Sequence, residues 1–159
     1  MGIIILFTLI LSYILFSISR EDIRNMIISE TKLIVFALSG VIYLIYLGSS
    51  NKNINTIDLI LNNSFYMLII FLIMYLIKSI SYKILRINSL GIGDIKLSSI
   101  STIWLGIEMS FISLSISFLL SAIYCLQGKY SKKFRAFHQY PFAPFLSIGI
   151  FCSWVLNKI

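Results

Sequence analysis

A short glycine-rich stretch contains the residue best suited to chemistry in this chain. Asp94 lies in the run Gly91-Ile92-Gly93-Asp94-Ile95-Lys96-Leu97, at the start of a long apolar segment. A carboxylate deep in a lipid bilayer costs about 2.5–3.5 kcal/mol even on the milder scales, so an acid beside a membrane segment is a candidate functional residue. Helix capping is the alternative explanation, because an acid in the first turn complements the positive end of the helix dipole.

Asp22 is the second candidate, in the charged cluster Arg20-Glu21-Asp22-Ile23-Arg24-Asn25. Two carboxylates held close together cannot both ionise cheaply, so one of them keeps a proton. The pair then offers a general base that activates water and a general acid that protonates a leaving amine, as in aspartic proteases. We therefore predict that Asp22 and Asp94 are catalytic.

Other residues near the two acids are predicted to shape the site. Gly91 and Gly93 would let the backbone and a substrate approach Asp94 closely. Lys96, with Arg20 and Arg24, would tune the acids or position an acidic or lipid partner. For each cation taken singly, ordinary anchoring at a membrane surface explains its presence at least as well.

The composition indicates an integral membrane protein. The 159 residues are 58% hydrophobic and 12% charged, and the mean hydropathy is +0.95. These values predict a single membrane domain over residues 1–159, with no separate soluble domain. The net charge is +7, and in a membrane protein such an excess of basic residues normally lies in the cytoplasmic loops. The sequence has no basic domain with aromatic residues placed to contact bases, so this charge does not indicate a nucleic-acid partner.

The apolar runs predict an all-α bundle of about six transmembrane helices. Gly106-Ile107-Glu108 is the predicted turn between the fourth and fifth helices, although one longer tilted helix is the competing interpretation. Residues 51–63 are predicted to be a loop, with a short helix possible near Asp58, and residues 78–86 to be a frayed basic segment. The predicted helices are Ile3–Ile18, Leu33–Leu47, Phe65–Ile77, Ile95–Ile107, Met109–Leu126 and a last helix that ends near Leu156.

The basic residues predict the orientation of these six helices. Eleven of the 13 lysines and arginines fall in alternate loops, and only Lys52 and Lys158 fall on the other side. Since cytoplasmic loops are enriched in basic residues, both termini are predicted to lie outside a cell (inner) membrane. Asp22 and Asp94 would then meet at the cytoplasmic end of the bundle.

No cofactor or metal site is predicted from the remaining reactive residues. Cys125 and Cys152 lie in apolar segments without the spacing of a metal site, and are most simply buried small hydrophobic residues. His138 lies in a basic loop, where a solvated side chain is the simplest interpretation.

Three segments, in order along the chain, resemble the type IV prepilin peptidases, which are membrane aspartic proteases of the GxGD type. Residues 91–97 are similar to the GxGDxKL signature of that family. The segment Asp22-Ile23-Arg24-Asn25-Met26-Ile27-Ile28 resembles the region of its first aspartate, and residues 141–149 resemble its PFGPFLxxG motif.

The resemblance implies cleavage of the short leader of pilin-like or pseudopilin-like precursors at the cytoplasmic face. It also implies membrane lipid as a partner, and a catalytic pair of Asp22 and Asp94 with no cofactor. Family members usually have Pro-Asn where this chain has Ser29-Glu30, so Glu21 is a second candidate for the first acid. Larger members carry an amino-terminal region associated with methylation, and its lack in this sequence leads us to expect no methyltransferase activity.

Two other functions are compatible with the sequence. A small carrier or channel would use acids near the membrane to bind a cation or relay protons, and would need acids along a continuous path. The chain could also be a non-catalytic assembly subunit of a pilus or secretion system. The intact aspartate pair is the one feature of the sequence that counts against this function. Cleavage of other membrane helices, as in presenilin-like proteases, predicts Tyr-Asp where this chain has Glu21-Asp22.

Overall fold

The computed structural model describes residues 2–50, 55–86, 90–130 and 140–158, and their regular structure is entirely helical. The helices are α1 (Gly2–Asn25), α2 (Glu30–Ser50), α3 (Thr56–Leu85), α4 (Ile92–Tyr130) and α5 (Ala143–Leu156). The first four are long and apolar enough to cross a membrane, and α5 is a shorter apolar helix. Large apolar side chains such as Leu9, Phe16 and Leu119 point outward from the bundle, as contact with lipid requires.

The helices extend well beyond the predicted apolar runs. The predicted loop at 51–63 is wrong for residues 56–63, which form the first turns of α3, while residues 51–54 lie outside the described residues. Asn55 explains the early start, because its side chain accepts a hydrogen bond from the N–H of Ile57 at 3.2 Å and so caps the helix. The predicted frayed segment is also helical, and α3 ends at Leu85, before Arg86, which adopts a left-handed conformation.

The direction of the chain reverses inside α4, at Gly106. This glycine has φ +75° and ψ 176°, values outside the helical region. Asp94 lies near Asp22, which bonds to the first turn of α5. Phe118 packs against Phe142, the residue that precedes α5, with ring centroids 5.4 Å apart. In one straight helix Asp94 and Phe118 would be about 36 Å apart, so α4 consists of two helical segments that run in opposite directions.

An aromatic cluster fills the other half of the bundle. The indole of Trp104 stacks on Tyr43 at 5.6 Å and meets Trp154 edge to face at 5.5 Å. Its N–H donates to the carbonyl of Phe36 at 3.0 Å, so the buried donor is satisfied. Gly40 makes room for this ring, because a Cβ there would lie 2.8 Å from Nε1 of the indole. This packed cluster, which α1 joins through an edge-to-face contact of Phe7 with Trp104, fixes α1, α2, α4 and α5 relative to one another.

Candidate active site

Asp22 lies in the last turn of α1 and its side chain points into the bundle. Only 5% of the residue is exposed, and its Oδ2 accepts a hydrogen bond from the N–H of Ala143 at 3.0 Å. The helix ends just beyond it, where Met26 adopts φ 52° and its N–H donates to the carbonyl of Asp22 at 2.8 Å. This hydrogen bond is the usual one of a helix that ends on a left-handed residue. The charged cluster predicted from the sequence is therefore part of α1.

Asp94 lies in the first turn of α4 and is also buried, with 9% of the residue exposed. The backbone N–H of Gly91, which precedes the helix, is within hydrogen-bonding reach of its carboxyl group. An acid at this position that reaches back to the residue before the helix forms half of a capping box, so the capping explanation applies to Asp94 as well. Capping occupies only one side of the carboxyl group. The other oxygen, Oδ1, is buried and has no hydrogen-bond partner among the residues that the structure describes.

The two carboxyl groups come from helices that are far apart in sequence and meet at one end of the bundle. Asp22 and Asp94 are close enough for the charge of Asp22 to act on Asp94. Two buried acids that repel one another favour a state that retains one proton. The structure thus places the two acids near each other, and their catalytic role stays a prediction.

The glycines beside Asp94 allow two close contacts. A Cβ at Gly91 would lie 3.0 Å from Oδ2 of Asp94, and a Cβ at Gly93 would lie 3.2 Å from side-chain carbons of Ile28. Any larger residue at Gly93 would press against the segment that joins α1 to α2. Gly91 thus leaves room for the carboxyl group of Asp94, and Gly93 lets the first turn of α4 pack directly on Ile28.

The third residue predicted to shape the site, Lys96, contacts Glu30. Its Nζ forms an ion pair with Oε1 of Glu30 at 2.5 Å, and 41% of its side chain is exposed. This pair links the start of α2 to the start of α4 at the rim of the bundle. The predicted site-shaping role of Lys96 stays a prediction, because the contact that the structure gives it is with Glu30.

Glu21, the alternative to Asp22 as the first catalytic acid, forms its contacts with Ser29 and Lys32. Its Oε2 accepts hydrogen bonds from the N–H and hydroxyl of Ser29 at 3.2 and 3.0 Å, and pairs with Lys32 at 3.3 Å. These contacts hold the turn before α2, to which Ser29 belongs. The geometry therefore favours Asp22 over Glu21 as the partner of Asp94.

A groove of about 340 Å³ lies between α1 and α5. Its hydroxyl groups bond to the protein itself: Ser19 donates to the carbonyl of Leu15 at 2.8 Å, and the hydroxyls of Ser19 and Ser147 share a hydrogen bond at 2.8 Å. The groove is therefore largely apolar, and Ser19 places one end of it a single helical turn from Asp22. It is lined by Ser12, Leu15, Phe16, Ser19, Pro144, Ser147, Ile148 and Phe151.

The described residues include no group of three or more His, Cys, Asp or Glu side chains that could hold a metal ion. The contact that sequence reasoning missed is the backbone N–H of Ala143. The signal for it was the pair of prolines, Pro141 and Pro144, around a helix start, but a backbone donor leaves no trace in the residue type.

The fold and the site together define an all-helical membrane protein with two interacting, buried carboxyl groups at one end of its bundle. A family model described as the type IV leader peptidase family matches residues 9–126. The match covers well over half of the chain, and the chain therefore belongs to this family. It includes Asp22 and Asp94 and ends before α5. No curated protein and no solved structure matches the chain significantly. Membership of the family confirms the resemblance seen in the sequence and implies aspartic-type peptidase activity in general.

Proposed function

We propose that this protein is an integral-membrane aspartic endopeptidase that removes the short leader from pilin-like or pseudopilin-like precursors at the cytoplasmic face. The observation that carries the proposal is the burial of Asp22 and Asp94 beside one another, 5% and 9% exposed. Burying two like charges is costly, so a protein without use for them would gain stability by replacing either. Peptide hydrolysis needs a general acid and a general base beside the same bond, which would explain why both acids are kept.

The basic residues at the end of the bundle that carries the aspartates support an orientation of the protein in the membrane. The reversal at Gly106 divides α4 into two segments, and with α5 we propose six passes through the membrane, both termini being outside. The end that carries Asp22 and Asp94 also carries Arg20, Arg24 and the Lys96 pair. Basic residues mark the cytoplasmic face, which supports cleavage on that side of the inner membrane.

The groove between α1 and α5 supports a substrate with an apolar segment. It starts one turn from Asp22 and follows the two helices toward the middle of the bundle. A precursor whose hydrophobic helix lies along this groove would present the adjoining leader to the aspartates. The hydroxyl groups of Ser19 and Ser147 are small, and small residues let helices approach closely in a membrane.

The positions of the acids favour a peptidase over a carrier. All six acidic residues are described, and they lie at the two ends of the bundle. Asp58 and Glu108 are at the end opposite to the aspartate pair. A cation pathway would need acids between these ends.

The test is cleavage of a synthetic precursor, with a basic leader followed by an apolar helix, by the protein reconstituted in lipid vesicles. Asp22→Asn and Asp94→Asn should each lower the rate by at least about 10³-fold, since removing one member of a catalytic unit abolishes most of its effect. Asp58→Asn is the matched control, being the same substitution at an exposed acid at the far end, and should cleave at the wild-type rate. A wild-type rate for either site variant would refute the proposal.

A further inference from the structure

The carboxyl groups of Asp22 and Asp94 have different surroundings. Oδ2 of Asp22 accepts a hydrogen bond from the N–H of Ala143 at 3.0 Å. Oδ1 of Asp94 is buried and has no partner among the described residues. A carboxylate that accepts a backbone N–H is stabilised in its charged form, whereas a buried oxygen without a donor is best occupied by a proton.

The donor to Asp22 belongs to the positive end of a helix. Ala143 is the first residue of α5, and Phe142 before it provides no side-chain cap. The carboxylate of Asp22 therefore takes the place of the missing cap, which favours a negative charge there. Pro141 and Pro144 restrict the backbone on both sides of Ala143, so this N–H has little freedom to turn away.

No cation among the described residues pairs with either aspartate. The nearby lysines are engaged elsewhere, Lys32 with Glu21 and Lys96 with Glu30. Arg20 and Arg24 belong to the same helix as Asp22, and the described ion pairs include neither. Asp94 also lies at a helix start and has a backbone N–H within reach, that of Gly91. The two carboxyl groups therefore differ in the second oxygen of Asp94, which is buried and has no donor among the described residues.

We propose that Asp22 is the base and Asp94 the acid, and that the N–H of Ala143 is the positioning group that fixes this division. The proposal rests on the proposed function. Asp22 takes a proton from water as the water oxygen bonds to the scissile carbonyl carbon, and Asp94 gives its proton to the carbonyl oxygen. Asp22 then passes its proton to the leaving nitrogen as the C–N bond breaks. One hydroxyl proton of the intermediate returns to Asp94, so both groups regain their initial states.

The first test replaces the Ala143 amide with an ester, by incorporating lactic acid at this position in a cell-free system. This change removes the N–H and keeps the methyl group. We expect the acidic limb of the pH–activity profile to move up by about one pH unit, a tenfold loss of rate on that limb, with little change in KM. The same ester at Ala37, inside α2, is the matched control and should leave the profile in place.

The second test uses the unaltered protein and needs no variant to fold. The chain has four alanines, so 15N-alanine labelling gives few amide signals, and that of Ala143 should report the charge on the carboxylate it contacts. Its pH midpoint should match the acidic limb of the activity profile, which reports ionisation of the base. A midpoint on the basic limb, or an acidic limb that the Ala143 ester does not move, would overturn the division of roles.

Failure of this proposal can be told apart from failure of the proposed function. If Asp22→Asn and Asp94→Asn both abolish cleavage while the ester leaves the profile unchanged, the pair is catalytic and only the assigned roles are wrong. If either variant cleaves at the wild-type rate, the aspartate pair itself is not the catalyst.

Discussion

Gly149→Ala should weaken both the fold and the activity of the protein, because the contact between α4 and α5 leaves no space for a methyl group. A Cβ at Gly149 would collide with the hydroxyl of Ser117 and with the backbone carbonyl of Ser113. The two helices would have to separate by about 1 Å to reach ordinary contact distances. Overpacking of this kind costs about 1–3 kcal/mol in the free energy of unfolding, which corresponds to a fall of several degrees in Tm for a chain of this size.

The same displacement would reach the site, because α5 carries Ala143 at its start. Moving α5 by about 1 Å would lengthen the present 3.0 Å hydrogen bond to Asp22 beyond the usual range. A misplacement of this size can lower the rate of catalysis about 10²-fold. Thermal unfolding in detergent micelles and precursor cleavage in vesicles measure the two effects on the same preparations.

Two further variants make the Gly149 result interpretable. Gly2→Ala is the control, since nothing lies within 4 Å of the added methyl group. Combining Gly149→Ala with Ser117→Ala should recover only part of the stability, because the backbone carbonyl of Ser113 cannot be removed. A Gly149→Ala protein with wild-type Tm and wild-type cleavage would refute this account of the α4–α5 contact.

Two other predictions concern the packing of the bundle and the turn before α2. Gly40→Ala should lower the Tm, because the new methyl group meets the indole of Trp104 at 2.8–2.9 Å. Trp104→Phe in the same chain should restore part of the loss, and additive effects of the two changes would argue against this contact. Glu21→Gln should lower stability by at most about 1 kcal/mol, since its ion pair with Lys32 is partly exposed. Its precursor cleavage should stay close to wild type, and a loss like that of Asp22→Asn would make Glu21 the catalytic acid instead.

The sequence was sufficient for the class of protein, and it singled out two acids that the structure places near each other. Long apolar runs dictate membrane helices because backbone polar groups in lipid must be satisfied within the segment. The spacing of glycines around Asp94, with its resemblance to a known signature, indicated the family that the comparison then confirmed. The turn at Gly106 was also visible, because glycine readily adopts a positive φ.

Helix ends were the weakest part of the sequence prediction. Residues 56–63 and 78–85 are helical although their polarity suggested a loop and a frayed end. Caps such as Asn55 and side-chain packing decide where a helix stops, and hydropathy alone does not contain that information.

The difference between the two aspartates was decided by the tertiary structure alone. Asp22 and Asp94 are the same residue type, and nothing local to either predicts which accepts the N–H of Ala143, a residue 121 positions away from Asp22. Likewise, Glu21 and Asp22 are adjacent in sequence, yet the helical turn directs one to Ser29 and the other into the bundle. The residue types supplied two acids, and the packing of α1, α4 and α5 determined the surroundings of each.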